Sequence, residues 1–160
     1  MKKRNLIFGL ITSLIFAFSC EEDDVCIGEG TPYLTVVFRN IQTQQNSVDT
    51  LFVERLDQNL ENPDTLYTWA LTDSIKLPLG GLDESVSYFR IKKRASAIPD
   101  ILTVNYNTKT SYVSKACGFR ITYENLTYEA THNNIQSLLP GESNVLENES
   151  ATNLYIYYNY

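Results

Sequence analysis

The chain carries a single histidine and only three cysteines, and that scarcity sets the first limits on its chemistry. Transition-metal sites are built from His and Cys at defined spacing, and no such cluster occurs, so no metal site and no cofactor are expected. A Ser-His-Asp triad would have to use His132, which lies among Thr131, Asn133 and Asn134. That composition reads as a loop, and a lone loop histidine reads as a solvated polar group rather than a general base. Concentrated positive charge is equally scarce. The one dense basic run is Arg90, Lys92, Lys93 and Arg94, too little to displace counterions along a phosphate backbone, so nucleic acid is excluded as a partner. The run reads instead as the solvated side and end of a strand, where charge discourages edge pairing.

Long apolar runs are missing as well. The uncharged run from Leu6 to Phe18 is shorter than the roughly 20 residues a spanning helix needs. It follows Lys2, Lys3 and Arg4 and ends at Ser19 and Cys20, which is the charged, apolar and small-residue order of an export signal. Ala17, Phe18, Ser19 and Cys20 resemble the lipobox of bacterial lipoproteins, with Ala17 where leucine is favoured. The resemblance implies removal of residues 1–19 and lipidation of Cys20. A chain so modified is anchored to the membrane by acyl groups, each buried methylene adding about 0.8 kcal/mol, without spanning it. Cleavage removes three of the 13 basic residues and none of the 19 acidic ones, moving the formal charge from −6 to −9.

What the sequence does have is β character. Residues 20–31 read as a lipidated acidic tether: Glu21, Glu22, Asp23 and Asp24 follow the cysteine, without the alternation and central glycine of an EF-hand loop. Residues 32–160 read as one domain. Leu34, Val36 and Phe38 alternate with Thr35, Val37 and Arg39 at period two. Similar segments recur at Asp49 to Leu56, Leu66 to Leu71, Ser74 to Leu79, Val86 to Arg94, Ile101 to Asn107, Tyr112 to Glu124, Leu126 to Ala130 and Asn153 to Tyr158. Turn signals separate them, at residues 59–64, 80–81, 98–100, 107–110 and 140–141. Asn133 to Leu139 is expected to form a helical turn or two before Pro140 stops it. The spacing predicts an all-β chain, a single antiparallel β-sandwich of immunoglobulin-like or similar kind.

Exported chains keep their disulfides, and two cysteines remain besides Cys20. Cys26 and Cys117 are expected to pair, with Cys117 on the inward face of its strand beside Val113, Phe119, Ile121 and Tyr123. Carboxylate pairs such as Asp83 with Glu84, or Glu147 with Glu149, satisfy the composition of a glycosidase, yet none stands out among 19 acids. Aromatic residues are the more informative surplus, with 11 Tyr and 7 Phe. In the last strand, Leu154, Ile156 and Tyr158 are expected to face the core and Tyr155 and Tyr157 the outer face. Flat amphipathic rings there either stack on a sugar or partner protein, or pack against neighbouring strands.

Asp49-Thr50-Leu51, Asp64-Thr65-Leu66 and Asp73-Ser74-Ile75 resemble the short O-glycosylation signal of exported Bacteroidota proteins, which marks Thr50, Thr65 and Ser74 as acceptors. They also sit where turn chemistry favours Asp followed by Ser or Thr. The acidic run from Cys20 to Cys26, the segments Asp73-Ser74-Ile75 and Leu77-Pro78-Leu79, Ala116-Cys117-Gly118-Phe119 and the closing strand together resemble an uncharacterised family of small flavobacterial lipoproteins, catalogued as a domain of unknown function. That resemblance implies an outer-membrane, lipid-anchored protein on the periplasmic or cell-surface face, and it assigns no catalytic residue. The function expected is a non-enzymatic accessory module for an envelope protein or a glycan. A hydrolase or hydrolase-associated domain, or a structural or inhibitor lipoprotein, is the alternative.

Overall fold

The computed structural model describes Cys26, residues 30–94 and residues 98–159. Residues 1–19 and Cys20, on which the export and lipidation readings rest, lie outside the described residues. The described chain is all β. Its strands are β1 (Leu34–Asn40), β2 (Asp49–Leu56), β3 (Asp64–Thr72), β4 (Ser74–Leu77), β5 (Val86–Lys93), β6 (Asp100–Ser114), β7 (Gly118–Ala130), β8 (Ile135–Pro140) and β9 (Leu154–Tyr158).

They form two sheets, a four-stranded one in the order β4-β1-β9-β8 and a five-stranded one in the order β3-β2-β5-β6-β7. All named pairings are antiparallel except β1 with β9, which brings the two ends of the domain side by side in parallel. The period-two pattern explains the sandwich. Leu34, Val36, Phe38, Leu154, Ile156 and Tyr158 from one sheet meet Leu51, Val53, Phe89, Ile91, Leu102 and Val104 from the other in a single core.

Several polar groups inside this core are satisfied in specific ways. Tyr106 Oη accepts from the Gly80 amide at 2.8 Å and lies 2.8 Å from Ser87 Oγ, while Tyr123 Oη donates to the Gly80 carbonyl at 3.0 Å. The two rings meet edge to face at 5.1 Å between centroids. At one end of the sandwich the buried Asp100 carboxylate accepts from the amides of Asn133 and Asn134, from the Asn134 side chain and from the Thr131 hydroxyl. These bonds hold the β7–β8 turn onto the start of β6.

Two expected boundaries are corrected. Residues 107–110 continue β6 rather than turning, because their threonines suit an extended ribbon that water reaches, and the turn falls at residues 115–117 instead. Gly118, at φ +70°, closes it, a conformation glycine adopts without strain. The helical turns expected within Asn133 to Leu139 are absent: Ile135–Pro140 is strand, because pairing with β9 outweighs the local preference.

Candidate functional site

A partly open groove lies on the outer face of the five-stranded sheet. Along β2, Leu51 and Val53 point into the core, which sends Phe52 and Glu54 outward. The register with β5 places Lys92 opposite Phe52 and Arg90 opposite Glu54. The edge strand β3 supplies the remaining wall through a bulge. Between the pairs Leu51–Ala70 and Val53–Tyr67 the ladder shifts, leaving Thr68 and Trp69 together opposite Phe52, with Trp69 at φ +50°. A bulge of this kind re-aims a side chain, and a bulky residue in the left-handed region is uncommon. The indole lands against Phe52, ring centroids 5.4 Å apart, and remains 37% exposed.

The groove encloses about 510 Å³ and is lined by Phe52, Glu54, Trp69, Arg90, Lys92 and Pro99. Arg90 donates to Glu54 at 3.0 Å, which fixes both side chains across the strand pair. Arg94 places its guanidinium 5.9 Å from the indole centroid. Lys92 meets no carboxylate at ion-pair distance among the described residues. Phe52 and Trp69 are therefore bordered by Lys92 and Arg94, which no carboxylate pairs among the described residues, in a protein of net negative charge. The basic run, expected to be the solvated side and end of a strand, divides between the two faces. Arg90 and Lys92 border the groove, whereas Lys93 turns inward, pairs with Asp49 at 2.9 Å and stands over the Tyr158 ring at 4.4 Å.

Tyr155 and Tyr157 lie on the outer face of the other sheet, opposite Val37 and Arg39 of β1. Their use as an open pair is corrected for Tyr157, which is 5% exposed: β9 has neighbours on both sides, and the ring is covered among them. Arg39 lies over Tyr155, its guanidinium carbon 3.8 Å from the ring centroid, and occupies one face. The rest of Tyr155 contributes to a cleft of about 540 Å³ with Leu139, Glu142, Ser143, Glu147 and Asn148.

Cys26 and Cys117 form a disulfide. Cys117 sits in the β6–β7 turn rather than on the inward face of a strand, since the turn falls later than the sequence suggests. Of the glycosylation-like positions, Thr65 is exposed and Thr50 and Ser74 are half-buried. His132 places Nδ1 2.9 Å from the Ile135 carbonyl, a turn contact. Glu84 is engaged by Arg55 at 2.7 Å, and Glu149 accepts from Lys76 and from the Tyr33 amide. Hydrogen bonds from Lys76 and Tyr33 lower the pKa of Glu149, and those from Asn62 and Glu61 lower that of Asp57. A general acid requires the opposite shift.

Fold and surface together define a β-sandwich with an aromatic and basic groove. A family model described as a family of unknown function (DUF6452) matches residues 50–158, and the chain belongs to that family. No curated protein and no solved structure matches it. The groove is the site that sequence reading missed, and the signal available was the lone tryptophan of the chain three residues from the end of a strand.

Proposed function

We propose that the protein is a lipid-anchored envelope module of a Bacteroidota-type cell that binds an anionic envelope glycan, without chemistry, in the groove beside Trp69. The observation that carries this reading is the aiming of Trp69. A bulge and an unfavourable backbone angle, worth about 1–3 kcal/mol, turn a large ring out over the sheet instead of burying it. Such strain persists where the surrounding structure over-determines it, and it clusters at ligand clamps. The two rings supply flat faces for sugar C–H groups, and Lys92 and Arg94 supply charge for carboxylate or phosphate substituents. The Tyr155 cleft supports the reading less well, because Arg39 already occupies one face of its ring.

Affinity electrophoresis of the soluble domain through gels containing polyuronate tests it. Migration is expected to be retarded in polyuronate and not in a neutral glucan. Trp69→Gly suits the positive φ while removing the ring, so it is expected to keep the fold and lose the retardation; Tyr155→Ser is expected to keep both. Equal retardation of Trp69→Gly and the parent would overturn the groove as the site.

A further inference from the structure

The β6–β7 hairpin extends past the rest of its sheet. Strand β6 pairs with β5 only from Asp100 to Asn105, whereas its pairing with β7 continues to Ser114 and Gly118. The outer half is therefore a two-stranded ribbon, touched at Tyr123 by Leu146 and at Ile121 by Thr31. Near its tip, Tyr112 and Phe119 stand directly opposite each other and meet edge to face at 5.4 Å. Their packing leaves them 61% and 69% exposed, and Lys115 is exposed between them in the turn. Two large rings at the end of a narrow ribbon contribute little to the core, so their exposure calls for a separate explanation.

The covalent structure says what lies beside them. Cys117, two residues from Phe119, is bonded to Cys26, which is six residues from Cys20. Six residues span at most about 21 Å when fully extended. On the lipoprotein reading above, on which this inference rests, Cys20 carries acyl chains in the bilayer. The disulfide then holds the hairpin tip within that reach of the membrane surface. Amphipathic and aromatic rings partition to the headgroup level of bilayers, and a nearby lysine stem suits the same depth. The intervening Glu21, Glu22, Asp23 and Asp24 would repel an anionic surface, so the attraction must be apolar in the main.

We infer that Tyr112 and Phe119 seat in the headgroup–acyl boundary of the membrane that holds the lipid anchor, making the hairpin a second, non-covalent foot. The occupant of this surface is lipid, not a protein partner. With Cys20 lipidated and Cys26 bridged to Cys117, the foot acts in cis and fixes the orientation of the sandwich relative to the bilayer.

The test uses the full chain expressed with its own signal and purified from membranes. Phe119→Trp in a Trp69→Phe background provides one fluorophore at the tip. Intact mass first establishes acylation of Cys20 and the disulfide. The protein is then reconstituted into phosphatidylcholine–phosphatidylglycerol vesicles containing brominated lipids. Emission is expected to shift to the blue and to be quenched by bromines near the acyl–headgroup boundary, with little change on adding salt. An acylated, bridged chain whose emission is unquenched and matches that of the lipid-free domain would overturn the membrane foot and leave the lipoprotein reading standing. A chain without acyl groups on Cys20 would overturn the lipoprotein reading and the inference with it. Retained folding is checked by the disulfide itself and by melting of the Trp69→Phe parent.

Discussion

Single side chains carry much of the specificity of this fold. Tyr123 is fully buried, donates to Gly80 and packs against Tyr106. Burial pushes its hydroxyl up to about 12, because the phenolate is denied water. In the unfolded chain the same group ionises near its ordinary value of about 10. The folded state therefore keeps its proton more tightly, and the associated stability is fully present below about pH 10 and is lost as pH rises towards 12. Two pKa units correspond to roughly 2–3 kcal/mol at the upper end. Thermal melting between pH 9 and 11.5 is expected to fall steeply in the parent and less steeply in Tyr123→Phe. Burial also raises Tyr128, which keeps some slope in the variant. Identical slopes in the two proteins would contradict the assignment.

Residues also show why the groove was not legible beforehand. Simple alternation through Leu66, Tyr67, Thr68, Trp69, Ala70 and Leu71 puts Tyr67, Trp69 and Leu71 on one face. The bulge breaks that parity: Tyr67 packs against the core and its hydroxyl accepts from the Lys76 amide, while Trp69 goes outward. A one-residue slip in a strand exchanges its faces, and nothing in this local sequence announces the slip. By contrast Leu154, Ile156 and Tyr158 were assigned to the core correctly, because no irregularity interrupts their strand within the β1 ladder.

At the scale of elements, the strands were readable where one face is buried and unreadable where neither is. Core strands announce themselves by alternation. The outer half of the β6–β7 hairpin is covered around Tyr123 but largely exposed along Asn107 to Thr110 and at its tip, so its threonines and asparagine resemble a turn, and the sequence places the turn earlier than the structure does. The disulfide is the element-level constraint on this ribbon. It closes a sequence separation of 91 residues, for which chain entropy gives an upper figure of about 4–5 kcal/mol. Cys117→Ser is expected to lower stability in urea unfolding by roughly 2–4 kcal/mol, with Cys26→Ser and the double variant matching it. No change in the unfolding midpoint on breaking the bridge would mean that the hairpin is held without it.

At the scale of the whole molecule, β6 connects the two surfaces discussed above. It starts at Asp100, next to the groove residue Pro99, and ends at Ser114 beside the cysteine bridge. Its 15 residues correspond to about 45–50 Å of extended strand. On the proposed arrangement the bridged hairpin stands at the membrane and the aromatic and basic groove faces away from it, towards the glycans of the envelope. The outward groove, the short acidic tether and the disulfide then serve one purpose, presenting a binding surface at a fixed height and orientation.

Trp69 is the only tryptophan of the chain, so its fluorescence reports on the groove alone. The most direct measurement is a titration of the soluble domain with polyuronate oligosaccharides, following tryptophan emission. Saturable change, weakened by added salt and by Lys92→Glu in a domain of unchanged melting temperature, is the predicted result. Emission that stays constant to high oligosaccharide concentration, from folded protein, would contradict a glycan site at this groove and turn attention to an envelope protein as its partner.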